Sequence, residues 1–189
     1  MASSPINHRN YPSDEATQPQ LDLARDQGKA FNRALKAMSE MDAHGQLRNV
    51  EDYLVGYEVE SAEGMYFLND GQLQWNDPQQ NNAHLEVVVC DANDGRFIPG
   101  LQVHARITDG GDREIISEDL RFLWHPWLYH YGRNIRIPGS GTYKLYVSIE
   151  APDFPRHDRL NGHRYAHPVE VSFDKVTIKA GQKHSPEPP

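Results

Sequence analysis

Seven short runs rich in Val, Ile, Leu and Tyr fill the chain from Tyr53 onward, and they constrain its fold more than any other feature. They are Tyr53 to Val59, Met65 to Leu68, His84 to Cys90, Leu101 to Thr108, Glu114 to Phe122, Tyr143 to Glu150 and Val169 to Ile178. Turn-forming clusters punctuate them: Asn69-Asp70-Gly71, Asn76-Asp77-Pro78, Asp91 to Gly95, Asp109 to Asp112 and Pro138 to Gly141. β-Branched and aromatic side chains fit a pleated surface. Gly, Asn, Asp and Pro close turns by tolerating positive φ, bonding their own backbone or fixing φ. No helix-period segment lies between the runs, so the pattern predicts an antiparallel β-sandwich rather than parallel βαβ units.

Strand parity then sorts the side chains. Leu101, Val103, Ala105 and Ile107 share one face, as do Tyr143, Leu145, Val147 and Ile149, and Val169, Val171 and Phe173. In the run from His84 to Cys90, the odd positions Leu85, Val87 and Val89 make the core set. His84 and Glu86 therefore project together from the opposite face, about 7 Å apart along the strand. An imidazole and a carboxylate on one face of one strand form half a metal site. His104 also points outward, without such a companion on its strand, and reads as a surface histidine.

Upstream of the strands the pattern differs. Residues 1–19 are rich in Ser, Pro, Asn and Gln and read as a disordered lead-in. From Gln20 to Ala43, Leu21, Ala24, Phe31, Leu35 and Met38 trace one apolar stripe of a helix, with His44-Gly45 as its stop. Gly28 is its weak point, since Gly costs about 1 kcal/mol against Ala in a helix interior. The stripe either docks a partner or packs on the chain's own sandwich, and the second is the commoner use of such a face. The expected organisation is thus a lead-in and amphipathic helix over 1–50, a β-sandwich metal-binding domain over 51–180, and a disordered tail over 181–189.

Acidic residues outnumber basic ones by 27 − 19 = 8, which disfavours nucleic acid and anionic membranes as partners. No apolar run is long enough to insert in a membrane, and the first residues lack the basic start and apolar stretch of a secretory signal, which leads us to expect either a cytoplasmic chain or a mature form with a new start. One cysteine, Cys90, leaves no internal disulfide to form. Histidine is conspicuous: of ten, seven lie between His84 and His167. His125 and His130 flank the aromatic stretch Phe122 to Asn134, which holds Trp124, Trp127, Tyr129 and Tyr131 and reads as an aromatic hinge or a site wall. We expect these histidines, and His157, His163 and His167, in loops. Imidazole with carboxylate suits copper(II), zinc, iron or nickel, and copper(II) leads on intrinsic affinity.

Three readings follow from the residues. One is a non-enzymatic metal-binding sandwich, another a glycan-binding module built on the four aromatic rings, and a third an enzyme with a His–carboxylate metal centre. No nucleophile elbow, phosphate loop or paired-carboxylate signature supports the third.

The run from about Val59 to Lys179 resembles the periplasmic high-affinity Fe2+ transport proteins. Four features carry the resemblance. His84-Leu85-Glu86 opens a strand, His130-Tyr131-Gly132-x-Asn134 and Gly141-x-Tyr143-x-Leu145 follow, and Arg156-His157 precedes an aromatic-x-x-Pro before the last strand. The resemblance implies an immunoglobulin-like, copper-binding homodimer in the periplasm, working beside a high-affinity iron permease. It assigns copper to His84, Glu86, His130 and His157, with His157 reaching the centre across the dimer interface. One family ligand is missing. Where the family has Met-Pro-Met, this chain has Trp124-His125-Pro126-Trp127, and losing a thioether shifts a site toward harder ions. His125 is the candidate substitute, with iron or zinc as alternatives to copper. Ordinary imidazole ligands would lose the ion below about pH 6 as they protonate.

Overall fold

The computed structural model describes residues 9–42 and 46–184; for residues 37–42 only the backbone is described. Residues 1–8 of the expected lead-in, 185–189 of the expected tail, the expected His44-Gly45 helix stop and the Met38 side chain lie outside it. Among the described residues one helix, α1 (Gln18–Asp42), precedes ten strands: β1 (Leu47–Val50), β2 (Tyr53–Glu60), β3 (Met65–Asn69), β4 (Gln72–Asn76), β5 (Ala83–Asp91), β6 (Val103–Thr108), β7 (Glu114–Trp124), β8 (Tyr129–Ile135), β9 (Gly141–Ile149) and β10 (Val169–Ile178). All seven sequence-predicted runs become strands. β1, β4 and β8 are additional, and β8 falls inside the stretch we expected to be a loop.

Eight strands form one continuous antiparallel ladder in the order β1-β2-β5-β8-β7-β6-β9-β10. It folds into two layers because β7 is long enough to serve both. Residues up to Leu120 pair with β6, and Arg121–Trp124 pair with β8. Between the layers lies the core expected from parity. Leu85, Val87 and Val89 of β5 meet Val103, Ala105 and Ile107 of β6 and Leu145, Val147 and Ile149 of β9, all buried. Tyr57 of β2 and Phe173 of β10 close the sandwich edge to face, with centroids 4.6 Å apart. Trading these side chains from water for mutual contact is the main stabilising term, at about 25 cal/mol per Å² of apolar surface.

The outer face of β5 is buried too. At one end Val88 and Cys90 pack with Leu35 of α1 and Leu128, with Phe31 and Ala34 against them. The helix therefore faces its own sandwich. Its start is held by one half of a capping box: the Thr17 amide donates to Gln20 Oε1 at 2.8 Å, and the Thr17 hydroxyl donates to the same oxygen at 2.8 Å. It runs unbroken through Gly28, where a Cβ would stand 1.7 Å from the Asp94 carbonyl oxygen. The residue that looked like a weak point is the one that lets helix and turn touch. The lead-in is also held: the Tyr11 amide donates to Asn161 Oδ1 at 2.9 Å and the Ser13 hydroxyl to Asp158 at 2.7 Å.

At the other end of β5 stand His84 and Glu86, and the β3–β4 hairpin borders the neighbouring strands β7 and β8. Asp70 and Gly71 form its two-residue turn, both at positive φ (50° and 77°), the conformation a tight hairpin requires. Phe67 of β3 reaches the Arg121 guanidinium of β7, 5.9 Å away. Hairpin and sheet enclose a cavity of about 450 Å³ lined by Met65, Phe67, Arg121, Leu123, Gly132 and Asn134, among others. No helix among the described residues is long and apolar enough to cross a membrane.

Candidate metal centre

Backbone pairing alone brings the ligand-type residues together. β5 lies between β2 and β8, so His84 faces Asn134, Glu86 faces Gly132, and Glu58 faces Glu86 across the ladder. His130, Gly132 and Asn134 share the outer face of β8 by parity, while Tyr131 and Ile135 point into the core. Gly132 keeps that face open: a Cβ there would lie 2.9 Å from Leu123 Cδ1 and 3.1 Å from His130 Cδ2. His130 thus sits on a strand, not in a loop as expected, and its direction is set by the ladder.

His84, Glu86 and His130 are all buried, and one ligand atom from each lies within 4.8 Å of the others. Glu86 Oε1 is 3.7 Å from His84 Nε2 and 3.6 Å from His130 Nε2. These gaps are too long for hydrogen bonds. They match the roughly 3–4 Å that separates donors sharing one first-row metal ion with bonds of about 2.1 Å. His84 Nε2 and both ring nitrogens of His130 are buried without a hydrogen-bond partner among the described residues. An orphaned buried nitrogen is costly unless something else fills its lone pair. The donor set fits a transition-metal ion.

Asn134 fixes how His84 presents itself. Its Nδ2 donates to the Glu63 carbonyl at 2.6 Å and its Oδ1 accepts the Glu63 amide at 3.2 Å. The same Oδ1 lies 3.0 Å from His84 Nδ1. An amide oxygen can only accept, so Nδ1 carries the proton and Nε2 turns its lone pair toward Glu86. Asn134 and Glu63 were not assigned roles from sequence. The parity of 130, 132 and 134 marks Asn134, whereas nothing in the sequence marks Glu63, which lies between strands.

The electrostatics agree. Burial pulls the His84 pKa down to about 4, with the His125 charge adding to it and the Asn134 bond opposing it. His130 falls to about 3, through burial first and then His84 and His125. Burial, reinforced by Glu63 and Glu58, pushes Glu86 up to about 8. At neutral pH the centre therefore holds two neutral imidazoles and a largely protonated carboxyl. Against the expectation that proton competition at the imidazoles sets in near pH 6, burial lowers both imidazoles and raises Glu86, which makes Glu86 the group of the three closest to neutrality.

The remaining candidates are placed differently. His125 caps β7 at the tight turn to β8, where its amide donates to the Leu128 carbonyl at 3.1 Å. Its ring lies 6.2 Å from that of His130, and its Nδ1 is buried without a partner among the described residues. His157 stands apart from the cluster: its side chain is 89% exposed and Nδ1 meets Glu15 Oε2 at 3.2 Å. His163 and His167 are exposed. His104 has a cross-strand acidic neighbour after all, Asp119 at 2.7 Å. The aromatic wall divides in two. Tyr131 is core, donating to the Ile98 carbonyl at 2.8 Å, while Trp124 and Trp127 are exposed around the turn. The four rings make no single platform.

Comparison with known proteins places this geometry. The model of the Fe2+ transport protein family matches residues 68–178. Among solved structures, the chain is similar to FetP from uropathogenic Escherichia coli, with a TM-score of 0.59 at 21% identity over 72% of this chain and 95% of that one. It is also similar to copper-reconstituted P19 from Campylobacter jejuni, with a TM-score of 0.61 at 18% identity over 74% and 97%. No curated protein matches the chain.

Proposed function

The chain belongs to the Fe2+ transport protein family, and on that premise we propose that it is a non-enzymatic metal-binding protein that handles copper or iron through the His84–Glu86–His130 centre. The observation that carries this reading is the pair of buried imidazoles whose unpartnered nitrogens converge on one carboxylate. Copper(II) is the favoured ion, because nitrogen-rich sites follow the Irving–Williams order and because the similar P19 and a FetP variant are described as copper-bound. Iron and zinc suit the same donors. His84 Nε2 and His130 hold the ion, Glu86 balances its charge, and Asn134 keeps His84 in the receptive tautomer. A bound ion supplies the positive charge that lets Glu86 ionise where burial otherwise keeps it protonated.

His125 is the donor this chain offers where the family's methionine is missing, since its ring already borders His130. His157 is assigned as the ligand supplied by a second copy in a homodimer, a role its exposed position permits. We further propose a periplasmic location and an iron permease as partner, readings that membership of an Fe2+ transport family supports, with a cytoplasmic location as the alternative. The test is elemental analysis and metal titration of untagged protein. Wild type should bind about one Cu2+ per chain tightly and melt at higher temperature with it. His130→Ala should lose at least about a hundredfold in affinity, against the 10–100-fold typical of mere outer-shell changes. His157→Ala should weaken binding and dimerisation together, read by sedimentation. Wild-type protein that takes up no ion ends the proposal.

A further inference from the structure

The residue nearest the centre that no reading of the sequence selected is Glu63, in the link between β2 and β3. Its Oε1 lies 3.8 Å from His84 Nε2, the fully buried nitrogen that has no hydrogen-bond partner among the described residues. Its backbone is clasped at both amide and carbonyl by Asn134, so the same side chain that orients His84 also sets the position of Glu63. Its other oxygen, Oε2, faces the Lys183 ammonium at 3.2 Å. Lys183 also pairs with Glu60. The segment bearing the lysine is anchored in turn: the Ala62 amide donates to the Gly181 carbonyl at 2.9 Å, and the Lys183 amide to the Ala62 carbonyl at 2.7 Å. Carboxylate and ammonium are therefore held one beside the other, on the rim of the buried imidazole.

We propose that Glu63 is a further oxygen ligand of the metal centre and that Lys183 is its counter-cation, which competes with the incoming ion for the same carboxylate. The inference rests on the metal-binding reading above. Three carboxylates, Glu58, Glu63 and Glu86, crowd two imidazoles, and half-buried or buried carboxylates need positive charge close by. Lys183 supplies it from the solvent side of Glu63. On the inner side Oε1 faces the unpartnered His84 Nε2 at 3.8 Å, a gap that an ion shared by the two would fill. The added oxygen shifts the centre toward harder divalent ions, the direction in which loss of the family's thioether already moves it. The two residues therefore act with opposite sign on affinity: Glu63 draws the ion in, and Lys183 holds Glu63 back.

Opposite sign makes the test direct. Cu2+ and Mn2+ affinities of the full chain are measured by chelator competition for wild type, Glu63→Gln, Glu63→Asp and Lys183→Gln, with an electron paramagnetic resonance spectrum of each Cu2+ form. Glu63→Gln should bind both ions about tenfold more weakly or worse and change the Cu2+ spectrum. Glu63→Asp, which keeps the charge, should lie between Gln and wild type. Lys183→Gln should bind a few-fold more tightly. Wild-type affinity and spectrum in Glu63→Gln, an Asp variant no better than Gln, or a Lys183→Gln that binds more weakly would each overturn the proposal and leave the pair a structural strut. If wild type binds and His130→Ala does not, a silent Glu63→Gln removes only this inference. If wild type binds nothing, the metal reading itself has failed.

Discussion

Metal uptake by this centre should be a proton exchange, and Glu86 should be the group that exchanges. In the metal-free protein its pKa is pushed up to about 8, so at pH 7 the carboxyl is protonated in roughly nine chains of ten. His84 and His130, held down to about 4 and about 3, are already neutral and have no proton to give. Binding a divalent ion at pH 7 should therefore release about 0.9 proton, and at pH 9 about 0.1. Between pH 5 and pH 7 affinity should rise about tenfold, or 1.4 kcal/mol, per pH unit, and flatten above pH 8. The fall should steepen below about pH 4, where the imidazoles begin to compete. Titration calorimetry in two buffers of different ionisation enthalpy counts the protons directly. Glu86→Gln should abolish the release while retaining weakened binding. Undiminished release in that variant, or a wild-type affinity that breaks near pH 6.5 with a slope of two protons, would show that the imidazoles and not the carboxyl titrate.

The fold offers further tests. Metal-free stability should peak at about pH 6.5: His84 and His130 have depressed pKa values, so their contribution is full above the unfolded value of 6.5 and is lost as pH falls toward about 4. Glu86 works in reverse, because its raised pKa costs stability as pH climbs from 4.5 to about 8; melting curves should show Glu86→Gln gaining on wild type across that window. Gly28→Ala should destabilise by about 2 kcal/mol or more in urea despite its better helix propensity, since the new Cβ meets the Asp94 carbonyl, and a stabilised variant would contradict that contact. Trp124→Ala combined with Trp127→Ala should leave Cu2+ affinity within about twofold, whereas any affinity of the protein for a glycan that disappears in this variant would revive the platform reading.

Half of the centre was legible because alternation along a strand is a strong rule. Leu85, Val87 and Val89 had to be core, so His84 and Glu86 had to share the other face, and they do. The other half was obscured by composition. Tyr129 to Asn134 contains Gly, Asn and Arg among its aromatics, and these weaken a strand signal that Tyr131 and Ile135 alone do not restore. Once β8 is known to be a strand, the positions of His130, Gly132 and Asn134 follow without further information. Burial of the site was not legible at all. Nothing in the alternation of β5 states that its outer face, with His84 and Glu86 on it, is buried as deeply as its inner one, and that burial is what moves the pKa values. Glu63 was hidden for the same reason: its role comes from a link whose path only the assembled sheet determines.

β5 is paired along nearly its whole length to β2 and from Ala83 to Val87 to β8, and its inner residues are locked in the core. The positions from which His84 and Glu86 project are thus settled before any ion arrives. Metal binding here should consequently be uncoupled from chain ordering, unlike the small metallo-domains that fold only around their ion. Its heat-capacity change should be small, because little apolar surface is newly covered. The speed of uptake should be governed by the ion's own desolvation and entry, not by the time a chain takes to find its shape.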